Sequence, residues 1–76
     1  MISTKYFKSI FNEKGIIKFK LFSVFYTIEN INDEIIISSS ISNQKMNYKT
    51  IDEALKDYKI YNESLKDNLE NINIIE

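Results

Sequence analysis

The strongest constraint on the fold is a pair of strand patterns joined by a short polar turn. From Phe22 to Ile28 every second residue is aromatic or β-branched, which is the period of a strand with one buried face. Asn32 and Asp33 tolerate positive φ, as a two-residue type I′ turn requires. The register this turn sets pairs Ile28 with Ile37, Tyr26 with Ser39, and Val24 with Ile41. Both apolar sets then share one face, so the sequence predicts an antiparallel hairpin.

Further strands extend this hairpin. The patterns predict strands at about 5–11, 16–29, 34–42 and 45–49. A turn at Asn43-Gln44 would pair Ile41 with Met46 and Ser39 with Tyr48. The core-facing parity changes at Leu21-Phe22-Ser23, so we expect either a β-bulge or a break into two strands there.

Residues 2–11 fit two structures. Tyr6, Phe7, Ile10 and Phe11 have the spacing of a helix that Gly15 could end. A bulged hairpin through 12–15 would instead gather apolar residues of 7–11 and 17–21 on one face. The second interpretation is the one we favour, and the first stays open.

Residues 50–76 carry helix signals. Thr50-Ile51-Asp52-Glu53 is a capping box with two acids in the first turn. One helix to about residue 72 is compatible with the apolar spacing, but Ile60 breaks the stripe, and Ser64 begins a second cap. We therefore predict two helices, at about 51–59 and 63–72. The last four residues form either a docked strand or a frayed tail.

Together these elements predict one α+β domain over residues 1–76. It is an antiparallel meander of three or four strands, with the C-terminal helices packed on the face of Val24, Ile37 and Met46. Apolar residues make up 43% of the chain, which favours a folded core over disorder. A core of this size is small, so it must be dense or shared with a second copy, and a homodimer stays open.

Composition excludes several kinds of site. The chain has no cysteine or histidine, which removes disulfides, thiolate metal sites and the commonest general base. No stretch has the spacing of a calcium loop, and no run approaches the length of a membrane span. We therefore expect no catalytic, cofactor or metal site, no membrane partner, and a cytoplasmic location.

Three surfaces could bind a partner. The helical region is rich in acids, among them Asp57, Asp67 and Glu70, which could occupy a basic groove on another protein. Exposed apolar side chains are expected at Phe25, Ile36 and Tyr61, and such residues anchor interfaces. The third surface comprises Lys8, Lys18 and Lys20, which could follow a single strand of nucleic acid. The absence of arginine counts against that use.

Most residues belong to six types encoded by AT-rich codons: Phe, Tyr, Met, Ile, Asn and Lys. The chain resembles small single-domain proteins of phages and mobile elements of AT-rich bacteria, in its meander followed by the stretch from Thr50 to Tyr58. That group includes anti-CRISPR and other anti-defence inhibitors. The resemblance implies a non-enzymatic inhibitor that binds another protein or a protein–nucleic acid complex. The alternative is a small nucleic-acid-binding protein.

Overall fold

A five-stranded antiparallel sheet forms the framework of the chain. The structure is a computed structural model that describes residues 2–75. Its elements are α1 (Thr4–Lys14), β1 (Ile16–Leu21), β2 (Val24–Ile31), β3 (Glu34–Ser39), β4 (Ser42–Tyr48), α2 (Ile51–Asp57), β5 (Lys59–Ile60), β6 (Glu63–Ser64), α3 (Leu65–Asn68), a 3₁₀ turn (Leu69–Asn71) and β7 (Asn73–Ile74). The sheet order is β4-β3-β2-β1-β7, and β5 and β6 form a separate hairpin. The predicted α+β meander with helices on one face is confirmed.

The predicted register of the central hairpin is confirmed over most of its length. Ile28 lies opposite Ile37, and Tyr26 lies opposite Ser39. The predicted pairing of Val24 with Ile41 is wrong, because β3 leaves its ladder with β2 at Ser40, one residue before Ile41. Ser40 donates its backbone N–H to the Phe25 carbonyl at 2.8 Å, while its Oγ accepts the Phe25 N–H at 3.1 Å. The side chain thus takes the place of the next backbone acceptor.

The strand favoured for residues 5–11 is wrong, because this segment lies within α1. Ser3 begins the helix, and its Oγ accepts the Tyr6 N–H at 3.1 Å. Gly15 ends it with φ 73° and donates its N–H to the Phe11 carbonyl. Phe7 and Phe11 are both buried, four residues apart on one helix face. Both interpretations needed a left-handed glycine at position 15, so that signal could not separate them.

The single strand predicted for 16–29 is also wrong. Of the two alternatives expected at Leu21-Phe22-Ser23, a β-bulge or a break, the structure has the break. Phe22 and Ser23 form a two-residue turn with φ of 48° and 71°, the type I′ signature. Leu21 therefore pairs with Val24, and the change of parity keeps both strands' apolar residues on the core face.

The third turn lies earlier than predicted. Ser39 pairs with Ser42, so the turn is Ser40-Ile41 rather than Asn43-Gln44. The strand bounds of 34–42 and 45–49 are therefore wrong, because the two strands are Glu34–Ser39 and Ser42–Tyr48. The predicted partners are wrong as well: Met46 lies opposite Ile37, and Tyr48 lies opposite Ile35. Ile41 leaves the core face and is 73% exposed.

The two predicted C-terminal helices exist but are shorter than 51–59 and 63–72. Glu53 donates its N–H to Thr50 Oγ1 at 3.0 Å, and its carboxylate accepts the Lys49 N–H at 2.8 Å. Ser64 caps α3 by accepting the Asp67 N–H. The β5–β6 hairpin connects the two helices along the chain, and β7 pairs as a strand with β1.

All three helices contribute buried residues to one core. The C-terminal helices cover the predicted face together with α1, whose Phe7 packs edge-on against Phe19 of β1 with ring centroids 6.1 Å apart. The other sheet face is left uncovered by the helices. Of the three core-face residues predicted to meet helices, Val24 and Ile37 are buried, while Met46 on the edge strand β4 is 46% exposed.

Candidate partner-binding surface

Three two-residue turns bring exposed apolar side chains together at one end of the molecule. Phe22 comes from the β1–β2 turn, Ile41 from the β3–β4 turn and Tyr61 from the β5–β6 turn. The Phe22 and Tyr61 rings lie 5.7 Å apart, and Ile41 and Tyr61 border the same groove. We call these three residues the turn-end cluster. Its two aromatic residues are each about three-fifths exposed and Ile41 is more exposed still, so the cluster presents apolar side chains to solvent.

The backbone holds the two aromatic residues in an unfavourable conformation. Phe22 has φ 48° and Tyr61 has φ 54°, each at the first central position of a type I′ turn. That position favours Asn, Asp or Gly, and the left-handed conformation costs a bulky residue roughly 1–2 kcal/mol. Strain of this kind concentrates at functional sites. The local backbone chemistry therefore does not account for an aromatic side chain at either turn.

A groove of about 270 Å³ lies beside the cluster. Eight residues line it: Tyr26, Ser39, Ile41, Ser42, Tyr58, Lys59, Ile60 and Tyr61. We call it the tyrosine groove. The Tyr58 ring meets Tyr26 and Tyr48 edge-on, each at 6.4 Å. These perpendicular contacts fix the orientation of the rings beneath the groove.

The three tyrosines whose rings contact each other here, Tyr26, Tyr48 and Tyr58, stay protonated at neutral pH. Burial raises the pKa of Tyr58, and the neighbouring Tyr26 and Tyr48 raise it further. Burial also raises the pKa of Tyr26, with a smaller contribution from Tyr61. For Tyr48 the causes are burial followed by the carboxylates of Asp57 and Glu53. Each hydroxyl therefore remains a hydrogen-bond donor.

One buried amide supports the hairpin that carries Tyr61. The Asn68 Nδ2 atom donates to the carbonyls of Ile60 at 3.1 Å, Glu63 at 3.3 Å and Ser64 at 3.1 Å. Two strands of two residues each cannot hold a hairpin on their own. Asn68 thus fixes the Tyr61 turn against α3. The sequence pattern did not single it out, because asparagine is usually exposed.

Phe25 and Ile36 lie on the open sheet face, as predicted. Phe25 is half-exposed, and the Lys20 ammonium lies 5.8 Å from its ring centroid. Ile36 is only partly buried, between Glu29 and Asn47 on the neighbouring strands. The Phe25 backbone bonds to Ser40, the residue before Ile41.

The three predicted acidic residues, Asp57, Asp67 and Glu70, are all exposed, and two of them have different neighbours. The Asp57 carboxylate lies close enough to Tyr48 of β4 to raise the pKa of its phenol. Asp67 instead borders a groove whose other charged residues are Asp52, Lys56, Lys59 and Lys66. The helical layer is therefore of mixed charge around Asp67.

The three predicted lysines are likewise divided. Lys18 and Lys20 share the open sheet face with Phe25. Lys8 lies on α1, on the helical side, where its ammonium bonds the Asp52 carboxylate at 2.7 Å. The prediction that Lys8 shares a sheet face with the other two is wrong, because it depended on a strand at 5–11.

Tyr61 was a candidate from the sequence, whereas Phe22 and Ile41 were not. The longer strand predicted at 34–42 puts Ile41 on the core face instead. The change of parity at Leu21-Phe22-Ser23 could have identified Phe22, since a break there makes it a turn residue.

Within residues 2–75 the acidic side chains form no group of three that could hold a metal ion. None of the helices described over this range has the length and apolarity needed to cross a bilayer. Comparisons with protein-family models, curated proteins and solved structures give no match to this chain.

Proposed function

We propose that this chain is a non-enzymatic protein-binding module that contacts its partner through the turn-end cluster. One observation carries the proposal: Phe22 and Tyr61 occupy left-handed turn positions, pack against each other, and remain mostly exposed. Folding gains little from aromatic residues held in this way. Burial against a partner would supply the missing stabilisation.

The chemistry of the cluster suits an interface. Aromatic residues at the centre of an interface supply much of its binding energy, and truncating one commonly costs at least 2 kcal/mol, or about 30-fold in affinity. Phe25 is a further half-exposed aromatic residue, on the open sheet face. The polar residues around it, Ser38 and Thr27 among them, would form the rim.

The class of partner rests on the resemblance to small proteins of phages and mobile elements. On that basis we propose an inhibitor of a bacterial nucleic-acid-handling complex, such as a defence nuclease, acting in the cytoplasm by stoichiometric binding. This finer proposal is tested by expressing the chain in a CRISPR-immune bacterium and counting plaques of the targeted phage. Unchanged immunity against each system tried would refute it while leaving the binding module untouched.

Capture of a partner tests the binding module itself. The wild-type chain and the double variant Phe22→Asn with Tyr61→Asn are immobilised and incubated with lysate of an AT-rich bacterium. Asparagine tolerates both turn positions, so circular dichroism should show an intact fold. We expect the double variant to lose at least 30-fold in affinity for the protein that the wild type captures. Sedimentation of the purified chain decides whether that protein is a second copy.

The matched control reverses the charge of three acidic residues in the helical layer. A chain with Asp57→Lys, Asp67→Lys and Glu70→Lys should keep the same partner, with a change mainly in association rate. Loss of the partner in this variant, together with its retention by the Phe22/Tyr61 double variant, would move the interface to the helices.

A second candidate function is single-stranded nucleic-acid binding by the open sheet face. The observation that favours it is Lys20 lying over the Phe25 ring, with Lys18 two residues away on the same face. Such an arrangement can stack a base and contact phosphates. It predicts a gel shift at low salt that Lys18→Glu with Lys20→Glu abolishes and that weakens steeply as salt rises. A wild-type chain that gives no shift rules it out.

A further inference from the structure

The tyrosine groove has a charge character different from that of the helical layer. Lys59 is the only charged residue among its eight lining residues, and none of the eight is acidic. The rest of the lining combines tyrosine and serine hydroxyls with the aliphatic side chains of Ile41 and Ile60. A ligand for this groove must therefore combine an apolar body with a group that accepts hydrogen bonds or carries negative charge.

The donors of the groove are not committed to contacts within the chain. None of the side-chain hydrogen bonds formed between residues 2 and 75 uses a tyrosine hydroxyl. Over the same residues, the ion pair within 4.0 Å joins Lys8 to Asp52 and leaves Lys59 outside it. Lys59 also borders the neighbouring groove of Asp67, yet no carboxylate holds its ammonium there.

We infer that the tyrosine groove binds a carboxylate-bearing side chain of the partner, within a peptide segment that also places an aromatic or aliphatic residue against Ile41 and Tyr61. Charge complementarity with Lys59 and the surplus of hydroxyl donors select the carboxylate. The apolar side of the groove, formed by Ile41 and Tyr61, favours an aromatic or aliphatic residue beside that carboxylate. This inference rests on the proposed function, because the groove adjoins the turn-end cluster and shares Ile41 and Tyr61 with it.

Nucleic acid is the competing ligand, since it also combines aromatic rings with anionic groups. The groove offers a single lysine and no arginine, whereas backbone recognition normally uses several cations along a track. The chain also carries a net charge of −1, which opposes long-range attraction of a polyanion. An acidic peptide needs only one countercharge here.

The test uses the intact chain, labelled with nitrogen-15, and three probes. They are 3-phenylpropionate, its cationic counterpart 3-phenylpropylamine, and a short oligothymidylate. We expect the carboxylate probe alone to shift the amide signals of Ile41, Ser42 and Tyr61, saturating at millimolar concentration as befits so small a ligand. Lys59→Gln should weaken this binding about threefold to fivefold.

The matched control is Lys14→Gln, which removes the same charge at the opposite end of the sheet and should leave the titration unchanged. Equal shifts from the amine, or no shift from the carboxylate, would overturn the inference. Shifts from oligothymidylate with the carboxylate silent would assign the groove to nucleic acid instead. The proposed function fails on a different result, namely partner capture that survives the Phe22 and Tyr61 changes.

Discussion

Two kinds of turn in this molecule share one backbone geometry and differ in their residues. The Asn32-Asp33 turn has φ of 52° and 65°, almost the same as 48° and 71° at Phe22-Ser23 and 54° and 66° at Tyr61-Asn62. Asparagine and aspartate suit these angles, whereas phenylalanine and tyrosine do not. Backbone geometry therefore explains the first turn completely and leaves the aromatic residues of the other two unexplained.

The difference indicates where the chain carries a surface beyond the needs of folding. At the Asn32-Asp33 end, turn chemistry and sheet register agree, so local and tertiary preferences favour the same structure. At the opposite end, local preference is overridden twice, and the two exceptions touch each other. A conflict between local and tertiary preference is typical of functional sites.

The largest expected effect on stability comes from removing the Asn68 amide, which bonds to the Tyr61 hairpin and not to the Asn32 hairpin. Asn68→Ala should lower the free energy of unfolding by about 2–3 kcal/mol, because the carbonyls of Ile60, Glu63 and Ser64 lose the bonds from the buried Asn68 amide. Asn68→Asp should be at least as damaging, since a carboxylate would face three carbonyl oxygens. Urea unfolding followed by circular dichroism measures both.

Asn71→Ala is the control for that experiment, because Asn71 is exposed and only three residues away. It should change the free energy of unfolding by less than about 0.5 kcal/mol. If Asn68→Ala were equally mild, the hairpin would be held by packing of Ile60 and Leu65 rather than by the amide.

Exchanging turn residues tests the comparison directly. Asn32→Phe should lower the free energy of unfolding by roughly 1–2 kcal/mol, because phenylalanine would pay the left-handed cost with no ring to pack against. Phe22→Asn relieves the same cost but loses the contact with Tyr61, which is worth about 0.5–1.5 kcal/mol. Its net effect should therefore be close to zero. Thermal melts of both variants would reveal the asymmetry, and equal and opposite effects would contradict it.

The smallest expected effect concerns pH. A raised tyrosine pKa means that the folded chain holds its phenolic protons more tightly than the unfolded chain. The resulting stability is complete below the unfolded pKa of about 10 and is lost as pH rises through the folded value. Urea midpoints of Tyr58→Phe should therefore fall less steeply above about pH 10 than those of the wild type. The exposed Tyr6→Phe is the control, and an identical slope for both variants would be inconsistent with burial of Tyr58.

Local signals in the sequence determined much of the framework. The period-2 pattern and the Asn32-Asp33 turn fixed the central register, and Thr50 with Glu53 located the start of α2, because each depends on neighbours within a few residues. The parity change at Leu21-Phe22-Ser23 predicted either a β-bulge or a break, and it did not separate the two. The helix at Thr4–Lys14 stayed ambiguous, since a left-handed Gly15 suits both a helix end and a bulged turn.

Only the tertiary structure decided which exposed residues stand together. Phe22 and Tyr61 are 39 positions apart in the sequence, and Tyr61 lies on a short hairpin whose carbonyls accept hydrogen bonds from the Asn68 amide. The Ser40 side chain ended β3 early and moved Ile41 from the core to the surface. Lys8 left the other lysines once its segment became a helix. These outcomes depend on long-range packing, which the spacing of residues along the chain does not encode.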